Sequence, residues 1–243
     1  LYAKIVTTIF FSAIFCQARV LSLSDEKFAS YFSVEGGSSL LKTTPFDENL
    51  ASIDSYSDEY KLGLGGEFGF VYSSPYLAWR FSFEILKPSK LKEVQGLASS
   101  TAQYIVDSDV TAVAPKLGLE IHLNKKPNNR FYLFGYYGSS NLTMTQAYTG
   151  VVSPNSDHTV EAKGSAAEMG GGLGFEMSFV DTTSFVIEVG YRSLIFKEIK
   201  YSKDVTTFQG AKTVGEALTN LNGENRSLNF SGYTASIGFR FWL

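Results

Sequence analysis

The residue pattern predicts an all-β protein: an eight-stranded antiparallel up-and-down transmembrane β-barrel. Three observations carry that expectation. Residues 232–243 (GYTASIGFRFWL) alternate between an apolar face and a polar one, and seven further segments alternate in the same way. The connections between segments alternate strictly between long and short. Composition agrees, with 243 residues, 44% hydrophobic, 15% aromatic, and 14 Tyr, 20 Phe and 22 Gly. A net charge of −3 without a basic stripe argues against nucleic acid as a partner.

The elements follow in chain order. Residues 1–18 read as a signal peptide: Lys4 begins it, an apolar run covers 5–15, and Ala18 supplies a small residue for cleavage. The apolar run is too short for a spanning helix, which needs about 20 residues. Cys16 is the only cysteine, so cleavage after Ala18 leaves no disulfide, zinc-thiolate or cysteine nucleophile in the mature chain. Residues 19–29 form a short N-terminal segment, and 30–243 form the barrel domain.

Within the barrel, residues 30–41 are the weakest strand, with Phe32, Val34 and Leu40 on one face. Residues 59–72 set Leu62, Leu64, Phe68, Phe70 and Tyr72 against Lys61, Glu67 and glycines. Residues 76–87 set Leu77, Trp79, Phe81, Phe83 and Ile85 against Arg80, Ser82 and Glu84. Residues 111–123 set Val113, Leu117, Leu119 and Ile121 against Lys116, Gly118, Glu120 and His122. Residues 130–143 are apolar on both faces, which leaves their facing open. Residues 166–179 set Met169, Leu173, Phe175 and Met177 against Glu168, Glu176 and glycines; the run MGGGLG is a closely packed strand, since no helix follows to make a phosphate loop. Residues 183–197 set Phe185, Ile187, Val189 and Tyr191 against Glu188, Gly190 and Arg192. In the last strand, 228–243, Trp242 is the exception among polar-face residues.

Residues 73–75, 124–129 and 180–182 are tight turns. The links 42–58, 88–110, 144–163 and 198–227 are long, and Thr213 could cap a helical turn over 213–221. In an up-and-down barrel this places short periplasmic turns at one end and long extracellular loops at the other.

Alternation alone does not say which face is inside. A soluble up-and-down barrel of the lipocalin type would turn its apolar face inward. Here the polar face carries Glu35, Glu67, Arg80, Glu84, Lys116, Glu120, Glu176, Glu188, Arg192 and Arg240 among glycines, which suits a crowded polar lumen. The opposite face is large, aromatic and nearly free of charge, as a lipid-facing band should be. Tyr72, Tyr76, Trp79, Tyr191 and Tyr233 lie near strand ends, where membrane-interface aromatics belong.

On these features the chain resembles the small eight-stranded outer-membrane β-barrels, the group of the OmpA transmembrane domain, OmpX and OmpW. The resemblance covers 30–243 and includes the final Phe239-Arg240-Phe241-Trp242-Leu243, which looks like the C-terminal signal read by barrel-insertion machinery, with Leu in place of the usual Phe. It implies the outer membrane of a Gram-negative-type bacterium. Its implied partners are outer-membrane lipid and lipopolysaccharide and the insertion machinery; the long loops suggest an extracellular ligand.

An eight-stranded barrel is just wide enough for its interior to fill with side chains. The polar residues read as an ion-pair network in which Arg forks bridge carboxylates. Glu35, Glu67, Arg80, Glu120, Glu176, Glu188 and Arg240 share one height, with Glu84, Lys116 and Arg192 in a looser second layer. Carboxylates exceed cations, so the network is either purely structural or lines a narrow cation-favouring path. A lipid-modifying enzyme is the third reading: Glu120 could orient His122, but no lipase motif accompanies them, and His158 falls in a loop. Lys90, Lys92, Lys197, Lys200 and Lys203 at the loop bases read as ordinary solvated charges. No catalytic, cofactor-binding or metal-binding residue is expected. The expected role is structural and surface-interactive.

Overall fold

The computed structural model describes residues 21–37, 55–58, 63–88, 90–124, 126–151, 157–219 and 224–243. The proposed signal peptide, and residues 38–54 and 59–62 of the first strands and loop, lie outside them. Eight long strands form the barrel: β1 (Phe28–Gly37), β2 (Gly63–Ser73), β3 (Leu77–Pro88), β4 (Thr101–His122), β5 (Asn129–Gly150), β6 (His158–Val180), β7 (Thr183–Phe196) and β8 (Gly232–Trp242). Each pairs antiparallel with its neighbour in sequence, and β8 closes on β1 from Ala29↔Trp242 to Gly37↔Thr234. No strand edge is left open in the ring, and closure is what lets a sheet sit in hydrocarbon.

The outward face is the apolar one. Phe32, Phe70, Phe81, Leu117 and Leu173 are all about half exposed to the outside. Cross-strand rings continue the belt, with Phe68 stacked on Phe83 and Phe185 edge-on to Phe239. A belt of this kind on a fully paired sheet is the form a hydrocarbon bilayer accepts, so these strands span a membrane.

Three strands are far longer than the sequence pattern predicts. β4, β5 and β6 run through most of the stretches expected as loops at 88–110 and 144–163. The alternation does not stop there; it inverts. Within the belt β4 points Lys116, Glu120 and His122 inward and Leu117 and Ile121 outward. Beyond it the same strand points Tyr104, Val106 and Val110 inward and Asp107, Asp109 and Thr111 outward. Water replaces lipid outside, so polar residues move to the outer face and apolar residues fill the inside.

This projecting part, the head, is widened by Leu91–Ala98, which pairs with β4 across a turn whose Ser99 and Ser100 have φ of 48° and 67°. Two successive positive φ values are what a two-residue hairpin of the I′ type requires. On the other side Ile199–Tyr201 pairs with β6, and Leu228–Asn229 pairs with β7. Leu142, Met144, Val160, Leu194, Phe196, Leu218 and Phe230 pack inside the head as an apolar cluster. His158 therefore begins β6, where it stacks on Tyr148 at 4.8 Å, and is not a loop residue.

The helical turn expected from Thr213 does not form over the described residues 213–219. The Leu218 N–H bonds to Ile199 O at 2.8 Å and the Tyr201 N–H to Glu216 O at 2.9 Å, which makes the segment a strand-like partner of Ile199–Tyr201 and buries Leu218 in the cluster. A helix of two turns is marginal by itself, and burial of Leu218 favours the extended alternative.

At the opposite, short-turn end, residues 21–27 cross the mouth of the barrel. Leu21 and Leu23 are buried against Ala29, Tyr31, Val71, Ala78 and Trp242. The Leu23 N–H donates to Pro127 O at 2.9 Å, which ties the segment to the turn between β4 and β5.

Candidate functional site

All ten residues of the expected charge network point into the lumen, and their side chains meet there in two layers. The layer nearer the short turns is built on two guanidinium groups. Arg240 of β8 is 1% exposed. Its two terminal nitrogens grip Glu120 of β4 at 2.5 and 3.1 Å, and Nη1 also reaches Glu176 of β6 at 3.1 Å. Arg80 of β3 donates to Glu188 at 2.6 Å and to Glu67 at 3.1 Å, and lies 3.4 Å from Glu120. The hydroxyls of Tyr31 and Tyr132 donate to Glu67 and Glu188 respectively.

The second layer, nearer the head, centres on Lys116 and Arg192. The Lys116 ammonium lies 2.7 Å from Glu67 and 2.9 Å from Glu84. Arg192 donates to Glu35 at 2.8 Å and to Glu84 at 3.0 Å. Glu35 thus belongs to this upper layer rather than to the first, because β1 and β7 place it beside Arg192, while Glu67 bridges the two layers. Charge-assisted, forked contacts of this kind offset the cost of withdrawing each ion from water.

Two more charged residues join the network. Arg130 at the start of β5 donates to Leu23 O and to Ser73 Oγ, the latter at 3.1 Å, and covers the Trp242 ring at 5.5 Å. It therefore couples the network to the segment that crosses the barrel mouth. Glu168 of β6 is fully buried, 3.8 Å from Lys116. Glu168 was visible as a polar-face residue of its strand. Arg130 was hidden because its strand is apolar on both faces.

That strand's facing is settled by its neighbour. Tyr132, Phe134 and Tyr136 point inward and pair with Gly174, Gly172 and Gly170. A Cβ on Gly174 would sit 2.1 Å from the Tyr132 ring, and one on Gly170 2.5 Å from the Tyr136 hydroxyl. The MGGGLG run thus provides a floor on which inward rings lie. Trp242 also obeys the alternation: it points inward, and its indole N–H donates to Ser184 at 3.0 Å and to Glu176 at 3.2 Å.

Among the described residues, side chains occupy most of the lumen. A void of about 10 Å³ lies beside Tyr31, Glu188 and Arg240, and a larger one of about 20 Å³ beside Ser33, Glu67, Arg80 and Ser236 has room for about one water molecule. Below it lie Trp242 and residues 21–27; above it lies the apolar cluster of the head. His122 stands with Nε2 3.2 Å from Arg130 and 3.9 Å from Glu120, whose oxygens are held by Arg240. Among the described residues no group of three or more His, Cys, Asp or Glu could hold a metal ion.

On the outside, Tyr72, Tyr76 and Trp79 stand exposed near the short turns, and Tyr191 meets Tyr233 edge-on at 5.5 Å toward the head. The β8 stretch from Tyr233 to Trp242 covers about 23 Å at ~3.3 Å per residue and a tilt of roughly 40°, close to the height of an apolar belt.

The closed antiparallel ring of strands is a fold shared with solved structures. A major outer membrane protein of Thermus thermophilus superposes with a TM-score of 0.52 at 14% identity, over 88% of this chain and 100% of the other. The fold is that of a small outer-membrane β-barrel. Ail, the attachment invasion locus protein of Yersinia pestis, is also similar, with a TM-score of 0.45 at 12% identity over 90% of this chain and 99% of Ail. No protein-family model and no curated protein matches the chain. Likeness at these identities establishes the outer-membrane-barrel fold and leaves the role to be argued from the residues.

Proposed function

We propose that this chain is a structural, surface-interactive barrel of the outer membrane of a Gram-negative-type bacterium, with the head as its contact surface. The observation that carries this reading is the filled lumen, closed by residues 21–27 and Trp242 at one end and by an apolar cluster at the other. A transport role needs a continuous water path, and side chains occupy this one. The head instead offers an outer face of Asp107, Asp109, Thr143, Thr145, Thr149 and Glu161 on a rigid sheet, a scaffold suited to binding an extracellular ligand. The aromatic belt fits outer-membrane lipid and lipopolysaccharide as surroundings, and β8, as the closing strand, fits recognition by the insertion machinery.

Catalysis has less support. Glu120 is committed to Arg240, and His122 faces a cation in place of a nucleophile. The observation in favour of a narrow cation path is the surplus of lumenal carboxylates over cations, which the addition of Glu168 and Arg130 leaves unchanged. Recording in planar bilayers decides between the readings. A sealed barrel gives no conductance steps, and sustained cation-selective steps would overturn the proposal.

A further inference from the structure

Counting donors in the upper layer leaves one carboxyl group without any. The Lys116 ammonium lies closest to Glu67 and Glu84, at 2.7 and 2.9 Å, with the Tyr136 ring centre 4.3 Å away, and reaches Glu168 only at 3.8 Å, beyond hydrogen-bond distance. Arg192 serves Glu84 and Glu35. Glu168 receives no hydrogen bond at either oxygen, although it is fully buried. Its carboxyl group stands beside the same ammonium as that of Glu84, the two lying 3.8 and 2.9 Å from Lys116 Nζ. The void of about 20 Å³ is lined by neither residue. Two ionised carboxylates side by side would offer only acceptors to each other, and a buried charge without a donor costs several kcal/mol.

We propose that Glu84 and Glu168 form a proton-binding site in the lumen: Glu168 carries the proton and donates it to Glu84, which remains anionic between Arg192 and Lys116. One O–H bond on Glu168 then supplies the donor the site lacks, and the lumen's excess of negative charge falls by one. The charged and titratable groups facing the pair are Glu35 from β1, Glu67 from β2, Lys116 from β4, Tyr136 from β5 and Arg192 from β7. From β8 the neighbouring inward residues are Thr234 and Ser236, which carry no charge.

Infrared spectroscopy of the folded full chain in lipid vesicles at neutral pH tests this directly. The expected result is a carbonyl stretch of a protonated carboxyl group that shifts in D2O and disappears in Glu168→Gln. That variant should keep the wild-type midpoint of heat-modifiable gel mobility, because the Gln amide still donates to Glu84. Glu84→Gln should lower the midpoint, since it removes the anion between two cations. If Glu84→Gln does not fold, the wild-type and Glu168→Gln spectra decide the matter alone. Absence of the band from the wild type, which would mean an ionised and hydrated Glu168, overturns the proposal. So does a band that persists in Glu168→Gln.

Discussion

Arg240 holds four strands together through one side chain. It emerges from β8 and binds Glu120 of β4 and Glu176 of β6, with Tyr132 of β5 at 3.2 Å. Replacing it with Leu leaves two buried carboxylates without their main partner, a change that costs about 3–5 kcal/mol. Urea unfolding in lipid vesicles should show that loss, and a shift under 1 kcal/mol would mean that water or Arg80 takes over. Its inward facing was legible in the sequence, because period-two alternation fixes the face of every residue once one is fixed. Trp242 follows the same rule, yet reading an indole as purely apolar made it look like an exception; its N–H gives it a place on the polar side. A second residue-scale expectation concerns the head. Glu216 accepts hydrogen bonds from Lys212 Nζ at 2.8 Å and from the Thr213 N–H at 3.2 Å. Mainly through the Lys212 contact, its carboxyl is held below the ordinary carboxylate range. A carboxylate lowered in the folded state stabilises above its unfolded pKa, about 4.3, and loses that contribution as pH falls through the folded value. Amide exchange at Thr213 should therefore accelerate, relative to the intrinsic rate, as pH is lowered below the ordinary carboxylate range; unchanged protection would show that the turn holds without the charge.

At the scale of the strand, the informative feature is the point where polarity inverts. Period two, the turns and the lipid-facing rings were all legible, and they locate the belt. The ends of β4, β5 and β6 were not, because the pattern that marks a membrane strand ends where the membrane does, whereas the hydrogen-bonded ladder continues. Thr111 pairs with Thr143, and Tyr104 still pairs with Gly150. An apolar-in, polar-out stretch directly following a polar-in, apolar-out one is the signal that could have revealed the head. The two regimes predict opposite responses to the same substitution. Leu117 faces outward in the belt, about half exposed, so Leu117→Arg should cost about 2–4 kcal/mol, as a cation at the bilayer midplane does. Thr145 faces outward on the head, and Thr145→Arg should stay within ~0.5 kcal/mol of the wild type, as surface changes do. Unfolding of both variants in vesicles checks the boundary; similar costs at the two sites would place the head in lipid as well.

For the molecule as a whole, everything depends on the seam between β1 and β8, since an open sheet in hydrocarbon would leave a row of unsatisfied N–H and C=O groups. The seam is tight on the inside. A Cβ at Gly238 would stand 2.4 Å from Phe32 O and 2.7 Å from the Ser33 side chain, both on the partner strand, whereas a Cβ at Gly36 would meet nothing within 4 Å. Backbone cannot yield there without displacing the ladder from Phe32↔Phe239 to Ser33↔Gly238. Gly238→Val should therefore impair closure, at an overpacking cost of about 1–3 kcal/mol or more, and Gly36→Val should be tolerated although it lies on the same seam. Gel mobility separates the two. A closed barrel changes its position on heating and an unclosed one does not, so Gly36→Val should retain the shift and Gly238→Val should lose it wholly or in part. Retention by both would mean that β8 can slide against β1, and the ion pairs of Arg240, fixed by that register, would then have to re-form with other partners.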